Sequence, residues 1–212
     1  MFTFDASIPA ELAPLSWLLG VWEGTGVIDY KVGEERRSAE FGQRVSFSHD
    51  GLPYLNYASA SWLLGAGAGP DGPEESGAPA APLAHVAESG YWRLHRPLGD
   101  ADPGPGMLPG RGERAFTTAE EVETLRNPQG GFDIEVAIVR SDGVSELYVG
   151  QVRGPRIDLA TDAVVRPATA KTYAAATRMY GLVDGHLLWA WDIAALGGAL
   201  ASHASARLAR AD

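Results

Sequence analysis

RMYGLVDGHLLWAWDI, residues 178–193, is the stretch that decides the fold of this chain. Its Asp184-Gly185 pair joins Arg178–Val183 to His186–Ile193, two runs rich in aliphatic and aromatic residues. Asp-Gly is a pair that tight hairpin turns favour, because their central positions need positive φ angles. The stretch therefore predicts two antiparallel strands joined by a hairpin.

Two further Asp-Gly pairs repeat the same device. Asp142-Gly143 separates Phe132–Arg140 from Val144–Val152, and Asp50-Gly51 follows a run in which apolar residues recur at even spacing. Three such turns predict an antiparallel meander of about ten strands, which removes its exposed edges most simply by closing into a barrel. A closed barrel of that size can hold a small ligand inside. The predicted class is therefore all-β.

The N-terminal segment Ile8–Leu19 carries leucines at helical spacing, with Pro14 early in the run. We expect a short amphipathic helix that covers one open end of the barrel, since its apolar face needs a partner. Gly20, Trp22, Gly24 and Gly26 follow at alternate positions. One face of that strand carries almost no side chain, so that another element or a ligand can approach its backbone closely.

Two stretches, at about 65–82 and 97–131, are predicted to be long loops inserted between strands. The whole chain, residues 1–212, is predicted to form one domain. The first is almost wholly Gly, Ala, Pro and acidic residues, and we expect it to be mobile. In the second, Asp102–Gly112 has the composition of a flexible linker, and Thr118-x-x-Glu121 predicts a capping box that starts a short helix.

Charge and composition bound the function. The formal net charge is −10, which disfavours nucleic acid or an anionic membrane as partner, and the chain contains no cysteine. No signal-like start or long apolar span is apparent, so we expect a cytoplasmic protein with a small-molecule ligand. A homodimer is a further expectation. Catalytic triads, phosphate-binding loops and paired carboxylates are not found at convincing spacing.

Several pieces in this order resemble the nitrobindin family: LAPLSWLLGVWEGTG, FSHDG, ESGYWR, SDGVSELYVG, RMYGLVDGHLLWAWD and ALASHASARLAR. The resemblance covers nearly the whole chain apart from the two insertions. It implies a ten-stranded antiparallel barrel, similar to fatty-acid-binding proteins and lipocalins. It also implies one haem b per chain with a C-terminal histidine as sole protein ligand to iron. Family members bind nitric oxide and isomerise peroxynitrite to nitrate, so the chain is expected to be a peroxynitrite isomerase.

Residue by residue, the family's GxWxGxG motif matches Gly20, Trp22, Gly24 and Gly26. The histidine that ligates iron in the family matches His203, which is therefore the expected metal ligand and catalytic residue. Lys171 lies where longer bacterial members carry a lysine thought to reach the haem, where a cation pairs well with a propionate.

The distal side departs from the family's pattern. Asp29–Gly33 replaces a Tyr-Pro-Thr-Ile run, so the threonine contact is missing. Val86 occupies the place of a distal histidine two positions before Glu88, with His85 one position earlier. Ile193 stands where the family has methionine. Val86 and Ile193 would form an apolar wall that admits nitric oxide, facing a position on ferric iron that a single imidazole leaves open.

Other interpretations stay open from the residues alone. A histidine in an Ala/Ser-rich tail is ordinarily solvated, and His49, His85, His95 and His186 are expected to be surface or packing residues. Lys171 can be a solvated lysine, and the glycine motif can be purely architectural. The main functional alternative is a haem-free, non-enzymatic barrel that binds an apolar small molecule. A third possible function is that of an acidic interaction module, but no sequence motif supports it.

Overall fold

Ten antiparallel strands close into a barrel in which neighbours in sequence pair with each other and the last strand pairs with the first. The computed structural model describes residues 8–32, 35–64 and 83–211, so the predicted insertion at 65–82 and its mobility lie outside the described residues. The strands are β1 Gly20–Val32, β2 Glu35–Ser48, β3 Leu55–Leu63, β4 Leu83–Leu94, β5 Phe132–Arg140, β6 Ser145–Arg153, β7 Arg156–Val165, β8 Tyr173–Val183, β9 His186–Ala195 and β10 Ala201–Ala211. The predicted ten-stranded barrel is confirmed.

The three Asp-Gly turns differ in length. Asp184 and Gly185 have φ angles of 50° and 75° and are the whole connection between β8 and β9, as predicted. Four residues around Asp142-Gly143 join β5 to β6. The expectation of a tight turn at Asp50-Gly51 is wrong, because β3 begins only at Leu55. Pro53 lies in this connection and has no N–H with which to extend a strand ladder.

The N-terminal helix is a 3₁₀ helix, Ala10–Leu18, rather than an ordinary α-helix. Pro14 removes a backbone donor inside it. Leu12, Leu15 and Leu18 recur every three residues, the period of a 3₁₀ helix, so all three lie on one face and are fully buried. None of the helices among the described residues has the length and apolar character that a membrane crossing requires.

The two ends of the barrel are built differently. At the helix end the interior is filled by fully buried side chains, which include Trp22, Phe47, Trp92 and Leu187. Trp22 also donates from Nε1 to the carbonyl oxygen of Leu18 at 2.7 Å, which ties β1 to the helix. The interior is therefore packed at this end, and space for a ligand lies toward the other.

The glycines of the GxWxGxG motif bring β1 and β10 together. Gly24 and Gly26 pair with Leu208 and Ala206, respectively. A Cβ on Gly24 would overlap the Arg207 carbonyl oxygen and lie 2.9 Å from Leu208 Cα, and one on Gly26 would lie 2.7 Å from Ala206 Cβ. Real Cβ atoms do not approach this closely, so the motif sets the seam at which the barrel closes.

The second insertion is held to the helix end by buried charge. Arg96 pairs with Asp102 at 2.7 Å and with Glu11 of the 3₁₀ helix at 3.2 Å, and all three side chains are largely buried. Asp102 is thus anchored, although its segment has a linker's composition. Further on, α1 (Ala119–Val122) begins with the predicted capping box of Thr118 and Glu121, which confirms that element.

Candidate functional site

A cavity of about 390 Å³ lies in the barrel toward the end opposite the 3₁₀ helix. Its volume falls in the range of about 300–1,000 Å³ that proteins use for small-molecule and cofactor sites. Its lining includes His203, Lys171, Val86 and Ile193, the four residues that the sequence proposes around the cofactor. Positions up to 117 residues apart in sequence are thus brought to one cavity by closure of the barrel.

His203 reaches the cavity because β10 is irregular at that residue. Ser202 pairs with Asp192 and Ala204 with Trp191, so His203 is an extra residue between two consecutive partners on β9. Such a bulge lets successive side chains share one face of the sheet. His203 and Ala204 accordingly both line the cavity, whereas strict alternation would turn one of them outward.

Two aromatic rings flank the half-buried imidazole of His203. Trp191 lies in a T-shaped arrangement with ring centroids 5.5 Å apart, and Tyr30 packs at 5.9 Å. Burial, assisted by the positive charge of Arg140 and by the neighbouring His85, lowers the pKa of His203 below its ordinary value. The imidazole is therefore neutral at physiological pH, the form that ligates a metal.

A second bulge lies in β4, on the opposite wall. Ala84 pairs with Trp62 and Ala87 with Ala60, so His85 and Val86 together face a single residue of β3. Both line the cavity, and Ser61 bonds to the backbone of Val86 through its hydroxyl. His85 is exposed, as expected, but it also contributes to the cavity. An imidazole thus remains on the side where Val86 replaces the family's histidine.

The remaining residues singled out in the sequence lie elsewhere. Gly20, Trp22, Gly24 and Gly26 do not line the cavity. Trp22, Gly24 and Gly26 pair with β10 where the barrel closes, and Gly20 pairs with Phe47 of β2. His49 accepts a hydrogen bond in a turn, His95 contacts Glu135, and His186 contacts the carbonyl oxygen of Asp184. Of the five histidines, only His85 and His203 line the cavity.

A buried cluster of charges, which the sequence did not reveal, forms the floor of the cavity. Arg178 on β8 is 4% exposed and binds Glu88 through two hydrogen bonds of 2.9 and 2.7 Å, and it lies 3.4 Å from Glu146. Tyrosine hydroxyls complete the cluster: Tyr57 donates to Glu88, and Tyr148 and Tyr173 donate to Glu146. Paired carboxylates are therefore present, although their residues are 58 positions apart in sequence.

Glu88 and Arg178 form a charged, hydrogen-bonded pair at neutral pH. Burial alone would raise the pKa of Glu88, but the charge and hydrogen bonds of Arg178, with the hydroxyl of Tyr57, hold that pKa below its usual value. Burial raises the pKa of Tyr57, Tyr148 and Tyr173, so these hydroxyls stay protonated as donors. The guanidinium of Arg178 also lies 4.4 Å over the ring of Trp191, which connects the floor to the neighbour of His203.

The chemistry of these donors fits haem better than a bare metal ion. Among the described residues no group of three or more His, Asp or Glu side chains converges as a metal site. One imidazole in a cavity with aromatic walls suits an iron that already carries its equatorial ligands. The cavity also contains buried N–H groups without a hydrogen-bond partner among the described residues, on Trp191 and Arg140, so its wall can accept a polar ligand.

The chain is similar to known proteins over nearly its whole length. Residues 11–210 match the family described as THAP4-like, heme-binding beta-barrel domain. Proteins called peroxynitrite isomerase in Clavibacter michiganensis subsp. michiganensis and in Leifsonia xyli subsp. xyli are each 61% identical over 212 residues, with full coverage of both chains. The crystal structure of Rv2717c from M. tuberculosis has the same fold, with a TM-score of 0.65, 24% identity, and coverage of 97% of this chain and 99% of that one.

Proposed function

Because the chain belongs to the family of THAP4-like, heme-binding β-barrel domains, we propose that it holds one haem b in the barrel cavity, with His203 as axial ligand, and isomerises peroxynitrite to nitrate there. The proteins from Clavibacter and Leifsonia that carry the name peroxynitrite isomerase align with it from end to end. Binding of nitric oxide is a second activity of the same site. A cytoplasmic location and a homodimer remain predictions.

The observation that carries the proposal is the bulge at His203. It turns a neutral imidazole into the cavity from a strand whose regular alternation would not do so. A bulge leaves one residue unpaired and disrupts the ladder locally, and ligation is a benefit that offsets this loss. The ring contacts of Trp191 and Tyr30 support a fixed orientation of the imidazole.

Other cavity residues have separate roles in this proposal. When bound, haem would supply a ferric iron that catalyses the isomerisation. Lys171 lines the cavity from the loop before β8 and is a partner for a propionate. Val86 and Ile193 contribute apolar surface that excludes water from the ligand. The reaction exchanges no proton with the protein, so no general acid or base is assigned.

Absorption spectroscopy after reconstitution with haem tests the axial ligand. We expect His203→Ala to lose the Soret band of the wild-type complex, because the cavity then offers iron no imidazole from β10. His186→Ala removes a histidine from an outer position on β9 and is the matched control. Retention of the wild-type spectrum in His203→Ala and its loss in His85→Ala would move the ligand to the other wall.

Nitrate yield tests the enzymatic activity and separates it from the haem-free alternative. Peroxynitrite is mixed with haem-loaded protein, with the same protein without haem, and with free haem at equal concentration. We expect faster decay and a higher nitrate yield with the loaded protein alone. Equal decay in all three samples would contradict the activity. In that case a barrel for apolar molecules would remain, although its floor of charged Glu88, Glu146 and Arg178 suits a polar ligand better.

A further inference from the structure

Arg140, the last residue of β5, has two buried side-chain nitrogens at the cavity that lack an acceptor among the described residues. Its side chain is 13% exposed, and it lines the cavity. Nη2 donates to Asp142 Oδ2 at 2.8 Å, whereas Nε and Nη1 have no hydrogen-bond partner among the described residues. A buried donor left unsatisfied costs about 1–3 kcal/mol. A group retained at that cost needs an explanation, and binding of a ligand is one.

The guanidinium is fixed in position by its neighbours. Its Cζ lies 5.0 Å from the ring centroid of Tyr173 and 5.2 Å from that of Trp191, and Asp142 holds its third nitrogen. Trp191 is also the residue that packs against His203. Arg140 is therefore oriented before any ligand arrives, which reduces the entropy that binding loses.

The positive charge of Arg140 is less compensated by nearby carboxylates than that of Arg178. Arg178 is offset by two buried carboxylates, Glu88 and Glu146. Among the described residues Arg140 forms its ion pair with Asp142, whose side chain is 48% exposed, so that water screens this pair. The charge of Arg140 also lowers the pKa of Glu88, but that carboxylate is already paired with Arg178. The positive charge of Arg140 also reaches His203, where it disfavours the imidazolium. A ligand bound at His203 therefore experiences the field of Arg140.

We propose that Arg140 binds a planar oxyanion beside His203. Guanidinium groups recognise carboxylates and similar oxyanions by planar, charge-assisted hydrogen bonds. This chemistry has two sources here, a carboxylate of the porphyrin and a free oxyanion that approaches the iron. The inference rests on the proposed function for the identity of these ligands, and its test includes a measurement that needs no iron.

The first measurement uses metal-free protoporphyrin IX and its dimethyl ester, titrated into the protein while tryptophan fluorescence is followed. Without iron, His203 forms no metal bond, so the result does not depend on the axial ligand. If Arg140 binds the porphyrin carboxylate, the wild type prefers the acid over the ester by roughly tenfold or more. Arg140→Met abolishes this preference, whereas Arg156→Met, which removes a similar (i, i+2) pair with Asp158 on the surface, keeps it.

The second measurement uses the ferric holoprotein and compares the anion nitrite with neutral imidazole. If Arg140 binds the free oxyanion, Arg140→Met raises the Kd of nitrite by roughly tenfold and leaves that of imidazole unchanged. Porphyrin preference is then the same in the wild type and in Arg140→Met. Either result supports Arg140 as an oxyanion-binding residue and identifies its source.

The proposal fails if Arg140→Met changes neither the porphyrin preference nor the nitrite Kd. One such result is that Lys171→Met loses both the porphyrin preference and the nitrite affinity while Arg140→Met keeps both, since Lys171 lines the same cavity. If Arg140→Met does not fold, the same porphyrin and nitrite measurements are made on Arg140→Lys. That variant keeps the charge but loses Nε and one amino group, so we expect a several-fold loss in the same measurement; wild-type values would overturn the proposal.

Discussion

Trp191 meets the imidazole of His203 in a T-shaped arrangement, with ring centroids 5.5 Å apart and ring planes at 83°. Trp191 is itself held in place, because the guanidinium of Arg178 lies 4.4 Å from its ring centroid. The candidate ligand is therefore positioned by an aromatic ring that is itself positioned by a buried charge.

Replacing Trp191 is expected to loosen the cofactor without abolishing its binding. Aromatic pairs contribute about 0.5–1.5 kcal/mol beyond buried area, so Trp191→Leu should accelerate haem loss by roughly tenfold. Trp191→Phe, which keeps an aromatic ring, should lose less. Transfer of haem to an excess of an apo-globin measures these rates. Trp62→Leu, on β3 and outside the cavity lining, is the control, and equal rates for it and for Trp191→Leu would contradict the expectation.

Deleting Ser202 tests the bulge directly. With one residue fewer, His203 takes the place of Ser202 opposite Asp192, whereas Ala204 keeps its pairing with Trp191. The histidine then points away from the cavity, while the rest of β10, from Ala204 onward, keeps its register with β9. We expect a folded barrel by circular dichroism that no longer shows the wild-type haem spectrum.

Substitution of Ser202 by alanine keeps the chain length and the bulge, and is the matched control for that deletion. It should bind haem as the wild type does. A deletion variant with a wild-type haem spectrum would show that the bulge does not direct His203.

Arg178→Met should destabilise the barrel by about 3–5 kcal/mol at neutral pH, because it leaves Glu88 and Glu146 buried without a counter-ion. In the wild type the pKa of Glu88 is below its usual value, so its contribution to stability is present at neutral pH and is lost only as pH falls through that lowered pKa. Without Arg178, burial raises that pKa, and protonation relieves the penalty as the pH falls. The difference in free energy of unfolding between wild type and variant should therefore shrink from about pH 7 to about pH 5.

Urea denaturation at several pH values measures this difference. Removing all three charges together, as Arg178→Met with Glu88→Gln and Glu146→Gln, should recover much of the stability, since no uncompensated charge remains. A penalty that is independent of pH would mean that Arg178 contributes packing rather than charge.

Gly24→Ala should destabilise the protein by about 1–3 kcal/mol, the usual range for overpacking, because its Cβ would lie 2.9 Å from Leu208 Cα at the seam. Gly181→Ala in β8 is the control, since its Cβ would lie 3.8 Å from the nearest atom, at ordinary contact distance. Thermal unfolding compares the two. Similar melting temperatures for both variants would contradict the role of Gly24 in strand approach.

Features encoded by neighbouring residues were predictable from the sequence. Asp184-Gly185 specifies a turn through its own φ angles, and Thr118 and Glu121 cap a helix only three residues apart. The alternation of apolar residues indicated strands because one face of each is buried. His203 was identified through family resemblance, since its surroundings of Ala and Ser carry no periodic signal.

The bulges and the floor of the cavity were not predictable in this way. A bulge adds one residue to a strand, and among small residues such as Ala201, Ser202 and Ala204 that addition leaves the pattern of hydrophobicity unchanged. Arg178 meets Glu88 across 90 residues of chain, so the pairing depends on the order and register of all strands between them. The sequence around Arg140 contains no motif that marks a binding residue. Arg140 lines the same cavity as His203 because the barrel closes.

The 3₁₀ helix Ala10–Leu18 and the packed core beneath it close one end of the barrel. The described lining of the cavity reaches exposed residues, among them Lys171 and Leu196, at the opposite end. Among the described residues the cavity therefore opens at one end, and a reactant and its product use the same opening.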